Sequence, residues 1–146
     1  MNALSQEVQV RTALDYASAA AVRNGAVFDT SGFEGVLMVV KFAAVAAAGV
    51  FTIKAQQDSA VGMGTAADLA GTQQTVANDD DDQIFIIDVF QPRERYVRVV
   101  VGKDATNVSA EMALYIGYGA RTLPVVQTLV DEVTYELHIS PAEGTA

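Results

Sequence analysis

An all-β fold, an antiparallel β-sandwich of jelly-roll type with extended terminal arms, is what this 146-residue chain predicts. Two observations carry that expectation. Short runs of β-branched and aromatic residues recur with a period of two, and polar turns containing glycine, proline or aspartate separate them. The spacing of the runs suits a sandwich or jelly roll rather than a βα repeat, and no internal repeat is visible. The pattern centres on Arg95-Tyr96-Val97-Arg98-Val99-Val100-Val101-Gly102. Val97, Val99 and Val101 share one face of a strand there, Tyr96, Arg98 and Val100 share the other, and Gly102 ends it. The turn before it is Gln91-Pro92-Arg93-Glu94, where proline supplies a fixed φ and no donor.

The elements follow in order. Val8, Val10, Thr12, Leu14 and Tyr16 alternate with Gln9, Arg11, Ala13 and Asp15, the pattern of an amphipathic strand. Ala17 to Val22 either continues it or forms a helical turn. Asn24-Gly25 signals a turn, Ala26 to Thr30 a short strand, and Ser31-Gly32 its end. Gly35 to Phe42 is apolar on both faces until Lys41, which suits a strand in the middle of a two-layer packing. Ala43 to Gly49 is a small-residue corner. Val50 to Gln57 then points Phe51, Ile53 and Ala55 inward and Thr52, Lys54 and Gln56 outward. Asp58 to Asp82 reads as a long irregular loop with a helical turn at Ala66 to Ala70. Strands follow at Ile84 to Val89 and Glu111 to Gly117, the latter with Met112, Leu114 and Ile116 on one side. Val133, Tyr135, Leu137 and Ile139 alternate with Thr134, Glu136 and His138 and predict a last strand before a polar end, Ser140 to Ala146.

Composition narrows the function. The chain is 51% hydrophobic with mean hydropathy +0.24, enough for one domain with its own core. Its net charge of −9 argues against nucleic acid and against an anionic membrane surface. Absence of cysteine excludes disulfides and thiolate metal sites. The first residues have no signal-peptide pattern, and the apolar run from Phe42 to Phe51 is too short to span a bilayer. A soluble chain is expected.

No constellation of residues points to catalysis, a cofactor or a metal. Asp79-Asp80-Asp81-Asp82 lacks the alternating acids and distal glutamate of a calcium loop and reads as a solvated turn. His138 is the only histidine, so a multi-histidine centre cannot be built, and its strand position suggests a surface residue. Ser31 lacks the flanks of a nucleophile elbow. Gly62-Met63-Gly64 lacks the lysine and helix of a phosphate loop. Arg93, Arg95 and Arg98 either grip an anion or pair with Glu94, Asp88 or Asp104, the duller alternative. The chain is not expected to be an enzyme.

Two segments together carry a resemblance. One is Val27-Phe28-Asp29-Thr30-Ser31-Gly32-Phe33-Glu34-Gly35-Val36 and the apolar strand after it. The other is Arg95-Tyr96-Val97-Arg98-Val99-Val100-Val101, followed by Tyr115-Ile116-Gly117 and the Arg121 to Pro124 turn. From Ala26 to Val125 the chain resembles small virion proteins of tailed bacteriophages and prophages, similar to the jelly-roll cement or decoration proteins of phage heads. Members carry an Ile-Asp-Thr-Lys-Gly-Tyr type turn, an Arg-Tyr-Val-Arg strand and an Arg-X-X-Pro-Val ending. Phe28 and Ser31 depart from the first motif, and Leu123 replaces a small residue before Pro124.

The resemblance implies a structural protein that binds the major capsid protein lattice on the outer surface of the head, after assembly in the bacterial cytoplasm. It implies a homo-oligomer, dimer or trimer, and supplies no catalytic residue. Residues 1–25 would then be an N-terminal arm or first strand, 26–125 the sandwich core, and 126–146 a C-terminal strand or arm. Val8, Val10, Leu14 and Tyr16 at one end and Val133, Tyr135, Leu137 and Ile139 at the other are the expected partner contacts, through strand addition to a neighbour. Both segments can equally pair inside their own domain. A tail or head–tail connector protein and a carbohydrate-binding jelly roll are the alternatives; the absence of Trp weakens the latter.

Overall fold

The computed structural model describes residues 2–103, 109–127, 132–140 and 142–144. After a 3-10 turn at Leu4–Gln6 come β1 (Gln9–Ala19), β2 (Arg23–Asn24), β3 (Phe28–Asp29), β4 (Gly35–Phe42) and β5 (Phe51–Asp58). Then follow β6 (Ala67–Asp68), β7 (Gln74–Val76), β8 (Ile84–Phe90), β9 (Tyr96–Lys103) and β10 (Ser109–Tyr118). One sheet has the order β1-β10-β4-β8. The other runs β2-β9-β5-β6, with β3 also on β9 and β7 also on β5. Every ladder is antiparallel.

Short strands β2 and β3 together fill one position beside β9, and β6 and β7 fill one beside β5. Among the described residues eight strand positions result, ordered 1-8-3-6 in one sheet and 2-7-4-5 in the other, which is the wrapping of a jelly roll. The sandwich fold agrees with the expectation.

Core residues come from the inward positions of both sheets. Val97, Val99 and Val101 are fully buried, facing Val36, Met38, Val40 and Phe42. Phe51, Ile53 and Ala55 point inward as their alternation predicts. The rings of Phe28, Phe33 and Tyr115 cluster with centroids 5.6 Å apart. Gly117 leaves room for this cluster, since a Cβ there would strike the Phe28 ring. β9 continues past Gly102 to Lys103, which pairs with Phe51 on β5, and a Cβ at Gly102 would strike the Thr52 hydroxyl.

Three local expectations are corrected. Alternation does not run unbroken through the first strand: register shifts between Thr12 and Leu14 and between Leu14 and Ala17 bulge β1. They send both Ala13 and Leu14 into the core and leave Tyr16 outside. The segment 58–82 is not one irregular loop, since β6 and β7 fold back on β5, and the expected helical turn is a strand instead. Asp58 anchors this fold-back: its carboxylate accepts from Ala60 N (3.0 Å), Thr65 N (2.8 Å) and the Thr65 hydroxyl (3.1 Å). Those donors, Ala60 foremost, lower its pKa. The strand expected at Val133 to Ile139 is absent, for the described residues 132–140 pair with no strand.

Candidate interaction surface

Antiparallel sheets that face water on one side normally alternate apolar and polar residues. β4, β8 and β10 do not. Registers across the β1-β10-β4-β8 sheet set Val10, Ile116, Leu37 and Asp88 in one outward row, and Thr12, Leu114, Val39 and Ile86 in the next. Met112, Lys41 and Ile84 form a third row, and Tyr118, Gly35 and Phe90 a fourth. Apolar side chains dominate, with Ile84, Ile86 and Phe90 each at least half exposed. At one end, Leu4, Val8, Val10, Leu37, Ile116, Tyr118 and Asp88 line an open groove of about 550 Å³.

Two polar groups on this face, on Tyr118 and Asp88, pair with each other. Gly35 lacks the Cβ that would strike the Tyr118 ring, so Tyr118 reaches across β4 and its hydroxyl donates to Asp88 Oδ1 at 2.6 Å. Burial, reinforced by that bond, pushes the Tyr118 pKa up to about 12.

The expected contact residues divide between several places. Val8 and Val10 line the groove, Leu14 is core, and Tyr16 stands exposed further along β1. Val133 and Tyr135 line a second open cleft, of about 500 Å³, with Gln6 and the 124–127 segment. Leu137 is 46% exposed and Ile139 94%. The two termini meet each other. Val125 N donates to the Gln6 carbonyl at 2.7 Å. Gln127 accepts from Val10 N (3.1 Å) and donates to the Val8 carbonyl (2.8 Å). The Ser5 and Tyr135 hydroxyls lie 3.4 Å apart. This C-terminal stretch thus covers the start of the β1 edge.

A buried ionic cluster ties the sheets together and escaped sequence reading. Glu111 on β10 is fully buried. Arg23 Nη1 on β2 lies 2.8 Å from its Oε1. Lys103 Nζ on β9 lies 2.6 Å from Oε2, a charge contact rather than an aligned hydrogen bond. Lys103 Nζ also donates to the carbonyls of Ala19 (2.9 Å) and Ser109 (2.8 Å). Tyr115 makes a second crossing: its hydroxyl donates to the Ala26 carbonyl and accepts from Val99 N, each at 2.8 Å. Burial raises its pKa.

The remaining charged candidates resolve separately. In the acid run, Asp80 accepts from Ala77 N at 2.8 Å and Asp81 from Val45 N at 2.6 Å, so these carboxylates brace a turn. His138 is exposed, 3.0 Å from Glu136. Arg95 pairs with Asp29 (Nη2–Oδ2 2.7 Å), and Arg98 donates to Gln56 at 2.9 Å. Neither pairs with Glu94 or Asp88; Asp104 lies outside the described residues. Arg93 lines an open cleft with Glu34, Glu94 and Arg121 and has no ion pair among the described residues.

The signal for the dry face was present in the doubled apolarity of Gly35 to Val40, which suggested burial by the chain itself, and in the apolar run Ile84 to Ile87. Among known structures, the PBSX exported protein XepA, a phage protein, superposes on 94% of this chain with TM-score 0.56 and 16% sequence identity. This chain spans 46% of that one, a little under half its length. No family model and no curated protein matches the sequence. At 16% identity the likeness establishes a shared fold.

Proposed function

We propose that this protein is a non-enzymatic structural component of a bacteriophage particle, a cement protein that docks on the major capsid protein lattice of the mature head. The observation that carries the reading is the outer face of the β1-β10-β4-β8 sheet. Leu37, Val39, Leu114 and Ile116 form an apolar centre that continues into Val10, Met112 and Ile86, and Thr12, Lys41, Asp88 and Tyr118 stand at its border. A dry centre with a polar rim is the anatomy of a protein–protein interface. Fold likeness to a phage protein and the two sequence motifs support the phage setting. Binding the assembled lattice in preference to its precursor would stabilise the head by mass action. The acidic surface suits the outside of a capsid, away from packaged DNA.

Co-sedimentation with expanded heads lacking the protein, and with unexpanded precursor, tests this. Saturable binding to expanded heads alone, with a raised disruption temperature, is the expected result. Ile116→Glu, at the centre of the face, should weaken binding by about 30-fold or more, the loss of one hot-spot contact. Indifference to both head forms sinks the cement role, and rings or tubes formed without capsid protein move the assignment to the tail.

A further inference from the structure

The two edges of the β1-β10-β4-β8 sheet are finished differently. β1 carries two register shifts, and Gln127 takes the Val10 N–H. Among the described residues β8 pairs with β4 alone, over seven residues with no shift. It contains no lysine, proline or bulge, the devices by which natural proteins protect a sheet edge. The direction of its backbone follows from one bond. Phe42 N donates to the Gln83 carbonyl, so odd-numbered residues of this segment face β4 and Ile84, Ile86, Asp88 and Phe90 face outward. Gln74 Nε2 donates to the Ile86 carbonyl at 2.9 Å, the one side-chain bond to the outward backbone of β8 among the described residues.

We infer that a second copy of this chain occupies the edge, the two β8 strands pairing antiparallel across a two-fold axis and joining two four-stranded sheets into one of eight. Full overlap sets Ile84 opposite Phe90 and Ile86 opposite Asp88, all outward-facing residues that can exchange both backbone bonds. Gln74 releases the Ile86 carbonyl to the Asp88 N–H of the second copy. Asp88 needs no side-chain partner there, because Tyr118 of its own chain holds it.

Charge selects this orientation. Asp79 to Asp82 precede β8, and Arg93 and Arg95 follow it. An antiparallel pair sets the acid run of one copy beside the arginines of the other at both ends; a parallel pair sets like beside like. Arg93 has no ion pair within its own chain among the described residues. Because the β1 edge is bulged and capped, pairing through β8 closes at two copies and does not propagate. The inference is independent of the phage reading and stands or falls separately.

Sedimentation equilibrium of the whole chain tests it. The native protein should show twice its 15.4 kDa mass. Ile86→Pro removes an outward N–H without touching a bond to β4 and should give a monomer with an unchanged circular dichroism spectrum. Arg93→Glu, on an exposed turn where folding is not at stake, should weaken the dimer about tenfold at low salt and less at high salt. Amide exchange at Ile84, Ile86, Asp88 and Phe90 should slow in concentrated native protein, and at Ile84, Asp88 and Phe90 it should not slow in Ile86→Pro. A native protein still monomeric at about 100 μM overturns the inference. So does a dimer that survives Arg93→Glu undiminished with those four amides unprotected.

Discussion

The two outer faces of the sandwich follow opposite rules. On the β2-β9-β5-β6 sheet, Lys54 sits 2.7 Å from Asp68, Gln56 donates to Asp68 at 2.8 Å, and Arg98 donates to Gln56 at 2.9 Å. That face is a solvated polar network, worth little to stability pair by pair. Across the sandwich, Leu37, Val39, Leu114 and Ile116 occupy the equivalent outward positions. Both sheets bury their inner faces, so the difference lies in the outer ones. It teaches that one sheet spends its outer face on a solvated network while the other leaves apolar side chains there, the contrast on which the proposed docking rests.

The contrast can be broken first at the seam that holds both sheets. Glu111→Ala leaves the Lys103 ammonium, fully buried, without its counter-charge. Loss of about 3–5 kcal/mol is expected, read from urea denaturation. A loss below about 1 kcal/mol would mean that the cluster is open to water.

A smaller effect sharpens the contrast itself. Leu114→Lys should cost about 1 kcal/mol and shorten retention on a hydrophobic-interaction column. Thr52→Lys, on the wet face, should change stability by no more than about 0.5 kcal/mol and leave retention as it was. Equal shifts in retention would show the two faces to be alike.

The smallest effect lies on the rim. Arg95 holds the Asp29 carboxyl at about 2, against 3.8 for an ordinary aspartate. The folded-state value is the lower one, so the pair stabilises fully above about pH 4, and its contribution is lost as pH falls toward 2. Both side chains are more than a third exposed, which screens the gain. Asp29→Asn should flatten that acid limb slightly in a pH series of melting temperatures, and salt at about 0.5 M should do the same to the native protein.

Much of the fold was legible because side chains on a strand alternate strictly. Val97, Val99 and Val101, or Phe51, Ile53 and Ala55, had to share a face, and those faces form the core. The same rule failed in β1, where bulges admit Ala13 and Leu14 together, and in β6 and β7, whose two or three residues are too few to show a period. Of the expected contacts, Val8 and Val10 lie on the groove, whereas Leu14 belongs to the core.

The sequence by itself determined that this chain is built of short strands, where most of them lie, and which residues travel together on one face. Local sterics and the two-residue period suffice for that. Only the tertiary structure decided which of two apolar faces is covered. Met112, Leu114 and Ile116 share a face by sequence, but the wrapping of strands turned it outward and filled the inner side with Glu111, Ala113 and Tyr115. It also decided that Arg23 and Glu111, 88 residues apart, meet in the interior. Such meetings depend on strand order and register, which arise from the packing of the whole chain and from no single segment of it.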